Sequence, residues 1–444
     1  MQTGIRKSGA ECNAADRGAE ARRDETDSLR RLEFFVAQCA VLSAPYISFR
    51  HPDYYITISD CLFAIAFGLR ISTERLSRPF GDVTWLWVFG VLLLVSGLLI
   101  GSFVNGDPLR GVIISSQYCF AYLLVPLTLL NRSPKQSISL IKCGVLGMVV
   151  MCAVGAAVYS SGYSSGYSGR HMSIVTGGRR LSGFADNANG MAVLTVLTVP
   201  LVWFLLLIGA MKKLTGIVCM ALLVTAIVLT SSNTGIFGLI VATVIFFVGR
   251  RSFKTLILVS ALGTGVLVWG QTYLPETFQK RVMTAVTSGD ISEAGTFESR
   301  RAVAIEAISK ARDHVVIGLG ADQYRKESQY GIPVHNTYLL LLNEGGAWSL
   351  IGLLVIISTA VISVLIPNQR PYGNLVGLTV FTIAIVLASM LMGATHIYGR
   401  VWMLSLLLAI GPAVARRQAN PNSAANSRIP LRGFRQARAI GTLA

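Results

Sequence analysis

The sequence predicts an all-α polytopic membrane protein. Of its 444 residues, 52% are hydrophobic and only 14% are charged, a balance that ordinary soluble domains do not show. The apolar residues also occur in runs of about 20, the length that crosses a bilayer as a helix. Helices suit that environment because each one satisfies its own backbone hydrogen bonds. We therefore expect about 12 transmembrane helices, with a large and mostly helical outer loop between spans nine and ten.

Charges, prolines and glycines divide the chain into five parts. They are a polar N-terminal tail at residues 1–32, spans one to nine at 33–270 with an outer loop at 160–188, a large loop at 271–335, a helix that leads back into the membrane with spans ten to twelve at 336–415, and a basic tail at 416–444. The spans are placed near residues 33–49, 54–70, 83–104, 110–130, 139–159, 189–210, 214–231, 234–249, 254–270, 346–366, 373–392 and 400–415.

The basic residues indicate how the chain is oriented. The net charge is +17, but Lys and Arg lie in connectors and tails rather than on one face, so no nucleic-acid partner is predicted. The connectors after even-numbered spans are the basic ones, as at Arg70, Arg132 and Arg250. Because cytoplasmic loops retain Lys and Arg, both termini are predicted to be cytoplasmic. The large loop then faces outward.

The large loop contains a predicted amphipathic helix over Phe297–Arg312. Positions 297, 301, 304, 305, 308 and 311 share one face at helical spacing, so Arg301 is expected on its inward apolar stripe. Glu306 and Lys310 are expected to pair on the other side.

The end of the large loop carries the best candidate for a catalytic group. A short helix is expected to follow from Asn336 to Asn343, and Glu344-Gly345-Gly346 should end it before span ten. His335 would then stand near the head-group level of the membrane.

Arg180, Arg301 and His335 are predicted to share the outer side. Two guanidiniums present fixed forks of donors that bind a diphosphate, and a neutral imidazole beside them can take a proton from a hydroxyl. Plainer interpretations are also open. The arginines can pair with lipid phosphates on the membrane surface, and a His-Asn pair before a helix is often a core residue and a cap.

Several kinds of site have no pattern in this sequence. The outer loops contain no Asp-x-Asp pair, no His-Glu-x-x-His and no close His/Cys cluster, so no metal is indicated. No Gly-rich phosphate loop ending in Lys-Ser or Lys-Thr occurs either, so ATP is not expected. No cofactor is predicted.

Three motifs resemble the O-antigen ligase and polymerase superfamily of bacterial envelope proteins. They are Arg180-x-x-Gly183 followed by Asn187-x-Asn189, Arg301 in a helix that leads to Gly318-x-Gly320, and His335-Asn336-Thr337-Tyr338 with Glu344-Gly345 downstream. The chain departs from the family pattern at Ala188, where Pro is usual, and near Ile305, where an aromatic residue is usual. The resemblance covers about residues 175–360.

This resemblance implies a metal-independent glycosyltransferase of the inner membrane that uses an undecaprenyl-diphosphate-linked oligosaccharide at the periplasmic face. It implies that His335 is the general base, that Arg180 and Arg301 hold the diphosphate, and that Asn189 and Asn336 support them or cap helices. If His335 is only structural, Asp322 and Glu344 are the next candidates for the base.

The acceptor and the class of protein stay open at this point. A ligase moves the glycan onto lipid A-core, whereas a polymerase moves it onto another lipid-linked repeat unit, with a chain-length regulator as a further partner. Polymerisation of exopolysaccharide or O-antigen is the preferred interpretation. A transporter of lipid-linked sugar is the competing class, but the predicted spans hold few ionisable residues of the kind that line transport paths.

Overall fold

A computed structural model describes residues 8–49, 56–74, 76–162, 173–176, 178–185, 187–269, 274–283, 297–365, 372–393 and 401–415. This part of the chain is mostly helical, as the sequence predicts. The first ten helices are α1 (Ser8–Ser43), α2 (Ile58–Thr73), α3 (Thr84–Val104), α4 (Pro108–Cys119), α5 (Val125–Leu129), α6 (Pro134–Ser160), α7 (Ala188–Leu207), α8 (Lys213–Thr230), α9 (Asn233–Gly249) and α10 (Phe253–Trp269).

The remaining elements belong to the loops and to the C-terminal third of the chain. The helices are α11 (Glu276–Phe278), α12 (Phe297–Asp313), α13 (Tyr324–Glu327), α14 (Thr337–Leu365), α15 (Asn374–Leu391) and α16 (Trp402–Ile410). A 3-10 turn spans Gly81–Val83, and π-helical turns span Phe120–Leu124 and Gln279–Met283. The strands β1 (Val175–Thr176) and β2 (Arg180–Leu181) form a small antiparallel hairpin.

Seven helical segments in the described part are long and apolar enough to cross a membrane. They are Gly81–Val104, Pro108–Leu129, Pro134–Ser160, Ala188–Leu207, Lys213–Thr230, Thr337–Leu365 and Asn374–Leu391. Two shorter apolar helices cover Asn233–Gly249 and Phe253–Gly265. The expected number of about 12 spans therefore stays a prediction.

Two of the expected spans differ in extent from the helices that form. Helix α1 begins at Ser8, well inside the expected tail, and ends at Ser43 rather than near residue 49. Helix α16 has nine residues, about half of the length expected for span twelve. The basic tail at 416–444 lies outside the described residues.

Small residues bring α3 and α14 into close contact. A Cβ atom added to Gly97 would lie 2.4 Å from the Gly345 carbonyl oxygen, and one added to Gly352 would lie 2.4 Å from the Leu94 nitrogen. Helices in membranes often associate through such small residues, because they let two backbones approach. The pair α3 and α14 forms a rigid support beneath the large loop.

Helix α14 contains a break at Gly346, close to where the sequence predicts one. Gly346 has φ 68° and ψ −168°, a backbone conformation that glycine adopts easily and other residues do not. A Cβ atom there would also lie 2.7 Å from the Val316 carbonyl oxygen. The break separates a short segment after His335 from the long apolar part of α14.

The two ends of the bundle differ in chemistry. We call the end that carries residues 274–283 and 297–335 the loop end. At the opposite end, Arg132 forms hydrogen bonds of 3.0 and 2.5 Å with Glu33, and both side chains are buried. Arg70, also buried there, donates to the carbonyl oxygens of Leu127, Thr128 and Leu130. These two arginines therefore stabilise the fold, in addition to contributing to the positive charge of the connectors.

Candidate functional site

The β-hairpin holds Arg180 at the loop end of the bundle. Arg180 Nε donates to the Thr230 carbonyl oxygen at 2.8 Å, and Nη2 donates to Asn189 Oδ1 at 2.9 Å. Thr230 ends α8 and Asn189 begins α7. The guanidinium is therefore fixed between two helix ends, and its other N–H groups can donate hydrogen bonds to another partner.

Asn189 orients this arginine rather than capping a helix. Its Oδ1 also accepts a hydrogen bond from Ser232 Oγ at 2.9 Å. The cap of α7 is Asn187, whose side chain accepts from the Gly190 nitrogen at 2.7 Å. Of the two roles considered for Asn189, the structure favours support of Arg180.

Arg300, not Arg301, is the arginine of α12 that faces the other site residues. The buried face of α12 consists of Val303, Ala307 and Ala311, and Arg300 lies on the same side, half-buried, with Nη1 3.4 Å from the Gly393 carbonyl oxygen. The Arg301 side chain is 62% exposed and lies 3.8 Å from Glu298. The expected inward position of Arg301 is therefore wrong.

This error has a physical origin. The positions 297, 301, 305 and 308 do share one face, but Phe297, Ile305 and Ile308 are exposed. The helix packs instead through small residues, because Asn343 and Tyr324 approach its backbone closely. Asn343 Nδ2 donates to the Ala307 carbonyl oxygen at 3.0 Å, and Tyr324 Oη donates to that of Val303 at 3.1 Å.

A third arginine, Arg281, joins the site from a π-helical turn. This turn, Gln279–Met283, follows α11, and such turns occur frequently at functional sites. Asn233 Nδ2 donates to the Arg281 carbonyl oxygen at 3.2 Å, which ties the turn to the start of α9. No sequence motif marks Arg281, and its proximity to Arg180 follows only from the fold.

Burial and neighbouring positive charges lower the pKa values of Arg180 and Arg300. Burial, and then the charges of Arg281 and Arg300, lower the pKa of Arg180 to about 10. Burial and the charge of Arg281 also lower the pKa of Arg300. Nε of Arg281 and Nε of Arg300 are both buried, and neither has a hydrogen-bond acceptor among the described residues. Buried donors of this kind normally have partners, so the cluster fits an anionic ligand.

His335 completes this cluster. It precedes α14 and is half-buried. Burial lowers its pKa first, and the positive charge of Arg300 lowers it further. Because the ordinary value is about 6.5, the imidazole is neutral at neutral pH and can accept a proton. The structure thus places His335, Arg300, Arg281 and Arg180 together.

Asn336 has a structural role. Its Oδ1 accepts from the backbone nitrogens of Tyr338 at 3.0 Å and Leu339 at 3.1 Å, as the cap of α14 does. Tyr338 in turn donates through Oη to the Ala388 carbonyl oxygen at 2.9 Å. These bonds fix the start of α14 and, through it, the position of the adjacent His335.

The two acidic residues named as alternative bases are both engaged elsewhere. Asp322 lies 3.1 Å from Arg110 Nη2 and 2.9 Å from Arg325 Nε. Glu344 is buried and accepts hydrogen bonds from the backbones of Asp322 and Tyr324. Both carboxylates hold the turn after α12 against the bundle.

Glu306 also differs from its expected role. Its carboxylate accepts from Ser328 Oγ at 2.7 Å and from the Gln329 nitrogen at 2.9 Å, whereas a pair with Lys310 was expected. Glu306 therefore connects α12, which carries Arg300, to the segment that leads to His335. These hydrogen bonds help to fix Arg300 and His335 relative to each other.

A groove of about 1140 Å³ opens beside Arg281. Apolar residues of α8, including Val224, Val228 and Leu229, line it, and its charged lining residues are Arg179, Glu276, Lys280 and Arg281. Thr277 Oγ1 donates to the Gly178 carbonyl oxygen and so connects the groove wall to the β-hairpin. An apolar groove whose lining also includes three cationic side chains suits an amphiphile with an anionic head.

No group of three or more potential metal ligands is found among the described residues. The residues of the site itself are three arginines, one histidine and neutral amides and hydroxyls. The guanidinium groups of the three arginines carry positive charge and have no lone pair for a metal.

Comparison with known proteins gives one result for part of the chain. Residues 218–357 match the sequence family described as O-antigen ligase. The match supports the resemblance of the chain to the O-antigen ligase and polymerase superfamily. No curated protein matches the chain significantly. The matched segment is about a third of the chain and contains Arg281, Arg300 and His335, while Arg180 precedes it. The match supports an enzyme in general, and the apolar helices support an integral membrane protein.

Proposed function

We propose that this protein transfers a glycan from a lipid diphosphate to a sugar hydroxyl at the outer face of the bacterial inner membrane. The observation that carries the proposal is the cluster of Arg180, Arg281 and Arg300 beside His335, in which two buried guanidinium nitrogens have no acceptor among the described residues. A diphosphate supplies acceptor oxygens for these donors.

In the proposed reaction, the acceptor hydroxyl attacks the anomeric carbon of the donor. A new C–O bond forms there, and the bond between that carbon and the diphosphate oxygen breaks. The hydroxyl proton moves to His335, and the electron pair leaves on undecaprenyl diphosphate. The arginines stabilise the charge that develops on this leaving group, and the reaction needs no metal.

The groove beside Arg281 supports a donor with a long apolar tail. The wall formed by α8 continues into a stripe of exposed apolar residues, which includes Val218 and Leu214. A polyprenyl chain can lie along such a surface while its diphosphate reaches Arg281. We infer that the donor is an undecaprenyl-diphosphate-linked oligosaccharide.

We propose polymerisation of exopolysaccharide or O-antigen repeat units as the reaction, with a possible chain-length regulator as partner. Ligation to a lipid A-core acceptor is the second candidate, because both reactions need the same donor site. The proposed topology has about 12 spans, cytoplasmic termini and a periplasmic site. Transport of lipid-linked sugar without chemistry would leave His335 without a role.

The test compares two adjacent arginines. Undecaprenyl diphosphate, the leaving group of either reaction, is the binding probe for purified protein. Lys keeps the charge of Arg but loses its fork, and a hydrogen bond to a charged group contributes about 1.5–3 kcal/mol. Arg300→Lys should therefore weaken binding roughly 10- to 100-fold, whereas Arg301→Lys should bind as the wild type does.

The same proteins are then assayed for transfer with a lipid-linked donor in excess chelator. Arg300→Lys should be impaired, and Arg301→Lys should turn over normally. Equal binding by both variants would contradict the proposed diphosphate site. Activity that disappears with chelator and returns with a divalent cation would contradict metal independence.

A further inference from the structure

Helix α12 has a second, outward face that the catalytic proposal does not use. Phe297, Arg301, Ile305, Ile308 and Arg312 follow the spacing i, i+4, i+8, i+11 and i+15, which places them on one side of a helix. All five are exposed, Ile305 at 58% and Ile308 at 49%. This exposed face of α12 thus combines three large apolar side chains with two guanidiniums.

The segment after α12 extends this surface. Val315, Val316 and Ile317 are exposed, Val316 at 67%. They contact α14 through the backbone, where the Ala347 nitrogen donates to the Val315 carbonyl oxygen at 2.6 Å. We call the outward face of α12 together with residues 315–317 the α12 patch.

The α12 patch is continuous with the surface of the spans. Ala347 precedes Trp348, which is exposed and begins the stripe Trp348, Ile351 and Leu354 along α14. A stripe of this kind on a transmembrane helix faces lipid, and Trp is enriched at the interface between lipid and water. The patch therefore lies at the level where α14 leaves the membrane.

The end of a second membrane helix, α3, marks the same position of the membrane surface. Asn105, which follows α3, donates through Nδ2 to the Gly318 carbonyl oxygen at 3.0 Å. The last residues of α3 include Phe103 and Val104, both exposed. Two membrane helices thus end beside the segment 315–318, which places the patch at the membrane surface from two directions.

We propose that the α12 patch docks on the outer leaflet of the membrane, with Phe297, Ile305 and Ile308 in the interface and with Arg301 and Arg312 on lipid phosphates. Helices that lie in the interface combine a basic and an apolar character in this way. Long Arg side chains keep their charged ends at the phosphates while their stems cover apolar surface. Anionic phospholipid is the partner that fits both charges.

This docking gives Arg301 a role distinct from that of its neighbour Arg300. Arg300 lies on the side of α12 that faces the site, and Arg301 lies on the side that faces the lipid. The proposal does not depend on the chemistry of the site, because it concerns only the outward face.

Spin labels on the full chain in nanodiscs test the proposal. One label is attached at Ile308→Cys, on the patch, and a matched label at Lys326→Cys, an exposed polar position of the same loop. Wild-type protein treated in parallel gives the background from the native cysteines. Oxygen concentrates in lipid and a nickel chelate stays in water. The ratio of oxygen to nickel collisions should be several-fold higher at position 308 than at 326 in phosphatidylglycerol.

Three results would overturn the proposal. Nickel collisions at position 308 equal to those at 326 would place the patch in water. Protection of position 308 from both reagents would mean that protein, such as a second copy of the chain, covers it. A ratio that stays unchanged when Arg301 and Arg312 are both replaced by Gln, or when phosphatidylcholine replaces the anionic lipid, would remove the role of charge. The spectrum at 326 reports whether each variant is folded.

Discussion

At the scale of single residues, burial and the charge of Arg300 both keep His335 in its neutral form. Burial and the Arg300 charge both lower the imidazole pKa, so the base form persists to pH values below its ordinary value of about 6.5. Activity that requires the neutral imidazole is lost as the pH falls through the lowered pKa. In the pH profile of kcat/KM, we expect the decrease on the acidic side, the acidic limb, to lie below pH 6.5.

The effect of Arg300 on this limb can be separated from a general loss of activity. Arg300→Gln removes one positive charge near the imidazole, so the acidic limb should shift to higher pH, although the activity itself falls. Arg301→Gln is the matched control and should leave the limb in place. An unchanged limb in Arg300→Gln would mean that His335 and Arg300 are not electrostatically coupled.

Substitution of His335 distinguishes a catalytic role of this residue from a structural one. An amide imitates a hydrogen bond of imidazole but does not accept a proton near neutral pH. General-base catalysis typically contributes about 10²–10⁴-fold in rate, so His335→Gln should lose activity on that scale while the protein accumulates normally. Transfer measured with purified protein provides the check. His314→Gln should remain active, and wild-type activity in His335→Gln would make the histidine structural.

At the scale of elements, the contact between α3 and α14 supports the site. Gly97 lies in this contact, where a Cβ atom would be 2.4 Å from the Gly345 carbonyl oxygen, next to the break at Gly346. Because this distance is far below van der Waals contact, Gly97→Ala must separate the two helices or displace the break. Either change would move the start of α14, which Asn336 and His335 precede.

Gly68 of α2 provides a matched comparison, since a Cβ atom there meets nothing within 4 Å. Gly97→Ala should lower the unfolding midpoint of the purified protein and reduce transfer. Gly68→Ala should be neutral or raise the midpoint slightly, because Ala is favoured over Gly by up to about 1 kcal/mol within a helix. If the two variants unfold at the same temperature, the contact at Gly97 is not tight.

At the scale of the whole molecule, the orientation in the membrane is predicted from basic residues. Some of these residues are bound within the fold, and others are exposed. Arg132 is bound to Glu33 and Arg70 to carbonyl oxygens, so they act partly within the fold. Lys212, Lys213, Arg250 and Arg251 are exposed at connectors. Cytoplasmic loops usually retain such residues, and this is the physical basis for our prediction that the loop end faces outward.

Cysteines at the two ends of the bundle test this orientation. Gln329→Cys lies in an exposed part of the loop end, and Lys213→Cys begins α8 at the opposite end. An impermeant maleimide should label position 329 in spheroplasts and should label position 213 only after lysis. The reverse pattern would place the candidate site in the cytoplasm, where a periplasmic acceptor cannot reach it.

The sequence by itself determined the class of the fold and part of the site. Composition and long apolar runs are enough to predict a helical membrane protein, because lipid permits few other structures. The motifs at Arg180 and His335 indicated the superfamily, which the match at residues 218–357 supports. A break near Gly346 also followed from local sequence, since glycine pairs interrupt helices for local reasons.

Only the tertiary structure decided which arginines meet. Arg300 and Arg301 are adjacent, and successive side chains on a helix point in directions about 100° apart, so the packed face selects between them. In a soluble protein the apolar stripe would mark that face. Here the stripe with Ile305 and Ile308 is exposed, and the helix packs through Ala307 and Ala311. Lipid is as apolar as a protein core, so hydrophobicity cannot tell which side of α12 faces protein.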